Sequence, residues 1–202
     1  MRYPHGETAM NNAAQLRKDI LAARNHLSAA EIADKSAHIV ATLLSLRPLN
    51  ISRSIFVYVN FRSEVATLDL ITTLIARGKT VSVPITRVEE KRLDAIRIID
   101  PAADLVPGYC NIPEPREELC QSRFIAPEEI ETILLPGSVF DKRGGRFGYG
   151  GGYYDRLLAQ IPAATRIGLA FDLQIIDKAP LSAHDQILDL VVTESQIIRV
   201  ER

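Results

Sequence analysis

The segment "DKRGGRFGYGGGYYDR" spans residues 141 to 156, and six of the chain's eleven glycines lie between Gly144 and Gly152. Glycine allows positive φ and lets a ligand come close to the backbone. Placed between an apolar run and a helical pattern, such a loop can turn backbone N–H groups and a helix N-terminus toward phosphate. Within it Lys142, Arg143, Arg146 and Arg156 outnumber Asp141 and Asp155 by two, which suits a polyanion. The loop lacks the G-x-x-x-x-G-K-[ST] form of a Walker loop, and Gly148-x-Gly150-x-Gly152 is not the G-x-G-x-x-G of a dinucleotide site. Two readings stay open on composition, a phosphate cradle and a tight surface turn, although tight turns seldom need six glycines. Asp155, in the first turn of the following helix, is equally ambiguous. It can compensate the helix dipole, or it can hold Mg²⁺ beside phosphate oxygens.

The surrounding pattern says what would position these groups. Ala13, Leu16, Ile20, Ala23 and Leu27 recur at helical spacing and predict a first helix over 12–27. Ser28 and Glu31 have the form of a capping box, predicting a second helix from Ala29 to Leu46. Strand, helix and strand follow: "SIFVYVN" (54–60), "LDLITTLIAR" (68–77, stopped by Gly78) and "TVSVP" (80–84). "LDAIRII" (93–99) reads as another strand, then comes the proline-rich "LVPGYCNIPEP", and Pro127 suits the start of a short helix. "ETILLPGSVF" (131–140) reads as one nearly continuous buried strand. A helix over 152–161, with Tyr154, Leu157, Leu158 and Ile161 on its core face, and the strands "RIGLAF" and "DLVVT" complete the chain. Strands alternating with helices predict a single-domain α/β sandwich over 1–202, with a mainly parallel, Rossmann-like central sheet flanked by helices.

At 202 residues the chain can bury a sizeable core, and a net charge of -1 supplies no bulk attraction to nucleic acid or anionic membrane. No apolar run approaches a membrane span, and "MRYPHGETAMNN" lacks the apolar stretch of a secretory signal. Cys110 and Cys120 form neither a CxxC pair nor a disulfide framework. A reduced, cytoplasmic protein is the plain reading, and nothing demands an assembly beyond a monomer.

The run "LLPGSVFDKRGGRFGYGGGYYDRLL" closely resembles the signature of the 5-formyltetrahydrofolate cyclo-ligase (5,10-methenyltetrahydrofolate synthetase) family. The resemblance extends over most of the chain through "LRKDILAARNHLS", "YVNFRSEVATLDLI", "NIPEP", "IGLAFDLQII" and "APLSAHDQILDLVVTE". It implies an ATP-dependent ligase that cyclises 5-formyltetrahydrofolate to 5,10-methenyltetrahydrofolate, using Mg²⁺ and releasing ADP and phosphate. By the same resemblance Arg17, Arg146, Phe147, Gly148, Tyr149, Gly150, Gly151, Gly152, Tyr153 and Tyr154 would meet ATP. Val59, Phe61 and Glu64 would hold the pterin, with Tyr149, Gly150, Gly151, Gly152 and Tyr153 bordering the folate. Asp155 and Asp185 would hold the metal, and no covalent nucleophile is implied. Glu64 then becomes the polar anchor for the aminopyrimidine edge, where otherwise it reads as a solvated carboxylate at a strand end. His184 is given no role.

Two positions depart from the family pattern: Ala13 stands where a phosphate-binding lysine is common, and Gly151 where some members carry a lysine. Phosphate contact would then rest more on Arg17, Arg24 and Arg146. Arg17 and Arg24, seven residues apart, share one helix face. Two rival readings remain: a sugar-phosphate isomerase-like enzyme, which would not need the Asp155/Asp185 pair, and a non-catalytic folate- or nucleotide-binding protein, favoured by Ala13.

Overall fold

A computed structural model describes residues 5–179, 181 and 185–200, with side chains from residue 13 onward. His184 lies outside the described residues. Helix α1 (His5–Asn25) and helix α2 (Ala29–Ser45) lead to a short helix α3 (Arg47–Ile51), strand β1 (Ser54–Val57) and helix α4 (Leu68–Ala76). Strands β2 (Thr80–Arg87) and β3 (Arg92–Ile98) pair as a hairpin. One turn of helix, α5 (Pro101–Asp104), enters a ribbon of β4 (Leu105–Pro107) and β5 (Pro113–Pro115). Then follow α6 (Glu117–Cys120), β6 (Phe124–Ile125), β7 (Thr132–Leu135), β8 (Val139–Asp141) and β9 (Arg146–Phe147). The chain closes with α7 (Tyr153–Gln160), β10 (Thr165–Leu169), β11 (Ile175–Ile176), β12 (Leu190–Val192) and β13 (Ile197–Arg199).

Local chemistry explains several boundaries. Ser28 Oγ accepts the Glu31 N–H at 3.2 Å while the Ser28 N–H donates to Glu31 Oε2 at 2.8 Å, so the capping box closes in both directions. Gly78, at φ +75, takes the left-handed turn that ends α4. The first helix starts earlier than its apolar spacing suggested, at His5. The apolar run 131–140 is not one strand. Pro136 removes an N–H after β7, and Ser138 N then donates to the Phe147 carbonyl at 2.7 Å, carrying β8 into a second, small sheet. Tyr58, Val59 and Asn60, expected within the first strand, follow it as a loop instead.

The large sheet has the order β13-β12-β10-β7-β1-β2-β3-β6. Its five central strands run parallel, from β12 to β2, and the antiparallel pairings sit at the two margins. Side chains alternate across it as the strand period demands. Ile55 and Val57 of β1, Leu134 of β7, and Leu190 and Val192 of β12 face a core built with Ile39, Leu43, Leu49, Leu70 and Leu74 of α2, α3 and α4. Phe56, Ile133, Leu135 and Val191 face the opposite core, with Leu157 and Leu158 of α7. The small sheet, β11-β8-β9, stands beside the large one. Val139, Phe147 and Ala179 there meet Ala13, Leu16 and Ile20 of α1. Among the described residues no helix is long and apolar enough to cross a membrane.

The connections from β1 and from β7 leave in opposite directions. The chain passes from β1 through α4 to β2, with α4 on one face, and from β7 through α7 to β10, with α7 on the other. Adjacent parallel strands that part in this way leave a crevice at their carboxyl ends, the usual ligand position of an open α/β sheet.

Candidate active site

A cavity of about 970 Å³ occupies that crevice. Its walls are the loop after β1, the glycine loop, the face of α1, and the ribbon around Tyr109 and Cys110. Every site residue expected from the sequence lines it: Arg17, Val59, Phe61, Glu64, Asp155 and Asp185, together with the run from Arg146 through Tyr154. Residues separated by more than 150 positions thus share one enclosure.

The loop after β1 is fastened from within. Thr67 Oγ1 accepts the Asn60 N–H at 3.0 Å and donates to the Tyr58 carbonyl at 2.8 Å, while Asn60 Oδ1 accepts the Thr67 N–H at 3.0 Å. Arg62 closes the turn at φ +54. Glu64 is buried there, with Oε2 accepting the Phe61 N–H at 2.9 Å and Oε1 accepting the Tyr149 hydroxyl. Burial pushes its carboxyl pKa up, against the lowering effect of these two donors and of the Arg24 charge.

At the end of the glycine loop, Gly152 caps α7 at φ +65, a conformation that favours glycine, and starts the helix whose first turn carries Asp155. A Cβ at Gly151 would fall 2.7 Å from the Tyr153 ring, so a lysine there would require that ring to move. Arg146 is buried, donating to the Pro136 carbonyl at 3.2 Å and to Asp155 Oδ1 at 3.1 Å, and it lies 5.5 Å from the Tyr154 ring centroid. The Gln186 N–H approaches the same Asp155 oxygen at 3.5 Å, which brings the Asp185 segment to the head of α7. Arg17, half-buried on α1, sits 5.7 Å from the Phe147 ring centroid. Its Nε and that of Arg146 are buried with no hydrogen-bond partner.

The loop's surplus of positive charge is mostly directed elsewhere. Lys142 pairs with Asp177, Arg143 with Asp141, and Arg156 donates to the Lys91 and Gly151 carbonyls. Of the four cations only Arg146 lines the cavity. Arg24 also differs from expectation. It is buried, and each of its nitrogens donates to protein: Nε to Ser63 Oγ at 3.1 Å, Nη1 to the Gly137 carbonyl at 3.2 Å and Nη2 to the Tyr149 hydroxyl at 3.1 Å.

Glu114 of "NIPEP" is a lining residue that sequence reasoning did not single out. It is buried, with Oε1 accepting the Thr86 N–H at 3.0 Å and Oε2 the Tyr109 N–H at 3.1 Å, so it ties the ribbon to β2. The signal available was a carboxylate between two prolines inside a quoted motif.

The donor set at the head of α7 fits Mg²⁺, which takes one or two protein carboxylates and completes its shell with phosphate oxygens and water. Asp155 and Asp185, both lining the cavity, could supply the carboxylates, and the described residues contain no group of three or more His, Cys, Asp or Glu ligands that would favour an ion held by protein alone.

The model of the 5-formyltetrahydrofolate cyclo-ligase family matches residues 9–194. A 5-formyltetrahydrofolate cyclo-ligase of Mus musculus is 27% identical over 186 residues, covering 89% of this chain and 92% of the mouse protein. That of Escherichia coli (strain K12) is 29% identical over 158 residues, covering 77% and 85%. Among solved structures, a 5,10-methenyltetrahydrofolate synthetase of Aquifex aeolicus superposes with a TM-score of 0.82 at 31% identity, covering 94% of this chain and 93% of that one. The Mycoplasma pneumoniae synthetase gives 0.72 at 25% identity, covering 91% and 99%. With the glycine loop, the carboxylates and the switch-point crevice in one arrangement, the chain belongs to the 5-formyltetrahydrofolate cyclo-ligase family of enzymes.

Proposed function

We propose that this cavity binds ATP with Mg²⁺ and 5-formyltetrahydrofolate side by side and joins N10 to the formyl carbon, giving 5,10-methenyltetrahydrofolate, ADP and phosphate. The observation that carries the reading is the pair of buried, unpartnered guanidinium donors, Arg17 Nε and Arg146 Nε, in the same cavity as the buried carboxylate Glu64. Buried donors without partners carry an energetic penalty that an anion can relieve.

Glu64 has two donors and room for more, so it can accept the paired N–H groups of an aminopyrimidine. Bound there, the folate would present its formyl oxygen toward the glycine loop. Transfer of the γ-phosphoryl group to that oxygen releases ADP and leaves an imidate phosphate. N10 attacks the formyl carbon, the carbon–oxygen bond breaks, and phosphate departs with the former formyl oxygen while N10 gives up its proton to water. Mg²⁺, held by Asp155 and Asp185 against the phosphate oxygens, would supply charge neutralisation. The protein's own share is alignment of two substrates and stabilisation of negative charge by Arg17, Arg146 and loop N–H groups, which needs no covalent intermediate.

Purified protein mixed with 5-formyltetrahydrofolate, ATP and Mg²⁺ should develop the near-ultraviolet absorbance of the methenyl product. Omission of ATP or chelation of the metal should abolish it, and Asp155→Asn should lower the rate at least about a hundredfold. Product formed without ATP, or by Asp155→Asn at the wild-type rate, would refute the proposal.

A further inference from the structure

Arg24 sits in the last turn of α1 and is 3% exposed, yet it is not built into a single wall. Its donors reach three separate segments: Ser63 after β1, the Gly137 carbonyl after β7, and Tyr149 in the glycine loop. A guanidinium only donates, so the Tyr149 oxygen must accept from it, and the single phenolic proton is left to go elsewhere. It goes to Glu64 Oε1, 85 positions away in sequence. The phenol ring also lies 6.0 Å from the Arg24 carbon, close enough for cation–π attraction.

We infer that Arg24 is a positioning residue for the folate side of the cavity, fixing the Tyr149 hydroxyl as a donor to Glu64 and so aiming the remaining acceptor sites of that carboxylate at the ligand. The inference rests on the folate reading above and adds to it a residue whose guanidinium nitrogens are all engaged by protein acceptors. The count of acceptor sites supports it. Each carboxylate oxygen has about two lone-pair sites. Phe61 N occupies one on Oε2 and Tyr149 one on Oε1, leaving one on each oxygen, the spacing that a pair of N–H donors requires. Without Arg24 the phenol could rotate its proton away, and the carboxylate could turn with it.

A purely structural role is a poorer account, because the partners of Arg24 keep other bonds. Ser63 Oγ donates to Asn25 Oδ1, the Gly137 carbonyl accepts Gln174 Nε2 at 2.8 Å, and the Tyr149 hydroxyl has Glu64 Oε1 as an acceptor within reach. Replacement by methionine therefore leaves each of these groups with at least one hydrogen bond.

The test is steady-state kinetics on wild type, Arg24→Met, Arg24→Lys, Tyr149→Phe and the double variant Arg24→Met/Tyr149→Phe, varying each substrate at saturation of the other. Arg24→Met should raise the folate KM about tenfold and leave the ATP KM within about twofold. Arg24→Lys keeps the charge and loses the fork, so it should not restore the folate KM. The double variant should resemble the single ones within about twofold, since both break one chain of contacts. Equal rises in both KM values, rescue by lysine, or penalties that multiply in the double variant would each overturn the inference. In ligand-free protein, Arg24→Met should also shift the Glu64 carboxyl ¹³C resonance, assigned by its loss in Glu64→Gln. An unmoved resonance refutes the positioning role whatever the substrate. A moved resonance in a protein whose wild type turns over no folate leaves the tie intact and refutes the folate reading instead.

Discussion

Asp141 and Glu64 are both buried carboxylates within the same molecule, and their surroundings push them in opposite directions. Asp141, in β8, is fully enclosed and accepts N–H groups from Gly145 at 2.8 Å, Ala179 at 2.8 Å and Arg143 at 2.9 Å, besides the Arg143 guanidinium at 2.6 Å. Burial alone would raise its pKa, and these donors reverse that, holding it below the usual 3.8. Glu64 has two neutral donors, and burial keeps its pKa above the usual 4.5. The contrast separates two uses of one chemical group. A carboxylate given a full set of donors fastens the segment around it, joining the glycine-loop base to residue 179. A carboxylate given half a set retains a demand for donors that a ligand can meet.

Three measurements would break or sharpen that contrast. The largest effect is expected from Asp141→Ala, which leaves the Gly145, Ala179 and Arg143 N–H groups without their acceptor and breaks the ion pair to Arg143. It should lower unfolding stability by about 3 kcal/mol in a urea titration. Next, Glu64→Gln should raise the folate KM between tenfold and a hundredfold, corresponding to roughly 1–3 kcal/mol of lost hydrogen bonding, with the thermal midpoint within about 2 °C of wild type. If Glu64→Gln destabilised the fold as much as Asp141→Ala, the distinction would disappear. The smallest effect concerns acid. Glu64 faces Arg24 and Tyr149, with the Tyr58 and Tyr154 hydroxyls near it. Its raised pKa means that protonation sets in at a higher pH than for a free glutamate and favours the folded state, while removing the charge and one of the acceptor sites offered to the folate N–H pair. The stability that Asp141 supplies is present above its unfolded pKa near 3.8 and is lost as pH falls through its lower folded value. Acidification should therefore weaken folate binding first and unfold the protein only later, as read by the folate KM and by circular dichroism. Coincident transitions would contradict the assignment of the two roles.

The sequence was most informative where one residue type has one physical use. Ser28 and Glu31 predicted a helix start that the structure reproduces, and the spacing of Leu157, Leu158 and Ile161 predicted the buried face of α7. It was least informative where hydrophobicity stands for several structures. The run 131–140 is apolar throughout, but β7 and β8 belong to different sheets, and only Pro136 marks the break. Tyr58 to Asn60 have strand composition, while their backbone bonds go to Thr67. At the site, the glycines announced a loop with unusual backbone demands. The role of Asp155 could not be read locally, because a helix N-terminus explains an aspartate as well as a metal does. Asp185 lies thirty positions further on, at no periodic spacing from its partner, so only the family resemblance paired them. Arg24 could not be placed, since its partners at 63, 137 and 149 converge only through the fold.

The docking of α1 on the small sheet also sets a schedule for synthesis. Leu16 and Ile20 pack against Val139, Phe147 and Ala179, so α1 waits for a surface whose parts are made about 120 to 160 residues later. At roughly 5–20 residues per second, that interval is on the order of 10 to 30 seconds. For that time an amphipathic helix leaves the ribosome with its apolar stripe uncovered, free to meet other apolar surfaces, including chaperones. The cavity wall that carries Arg17 and Arg24 is therefore synthesised well before the surface that secures it.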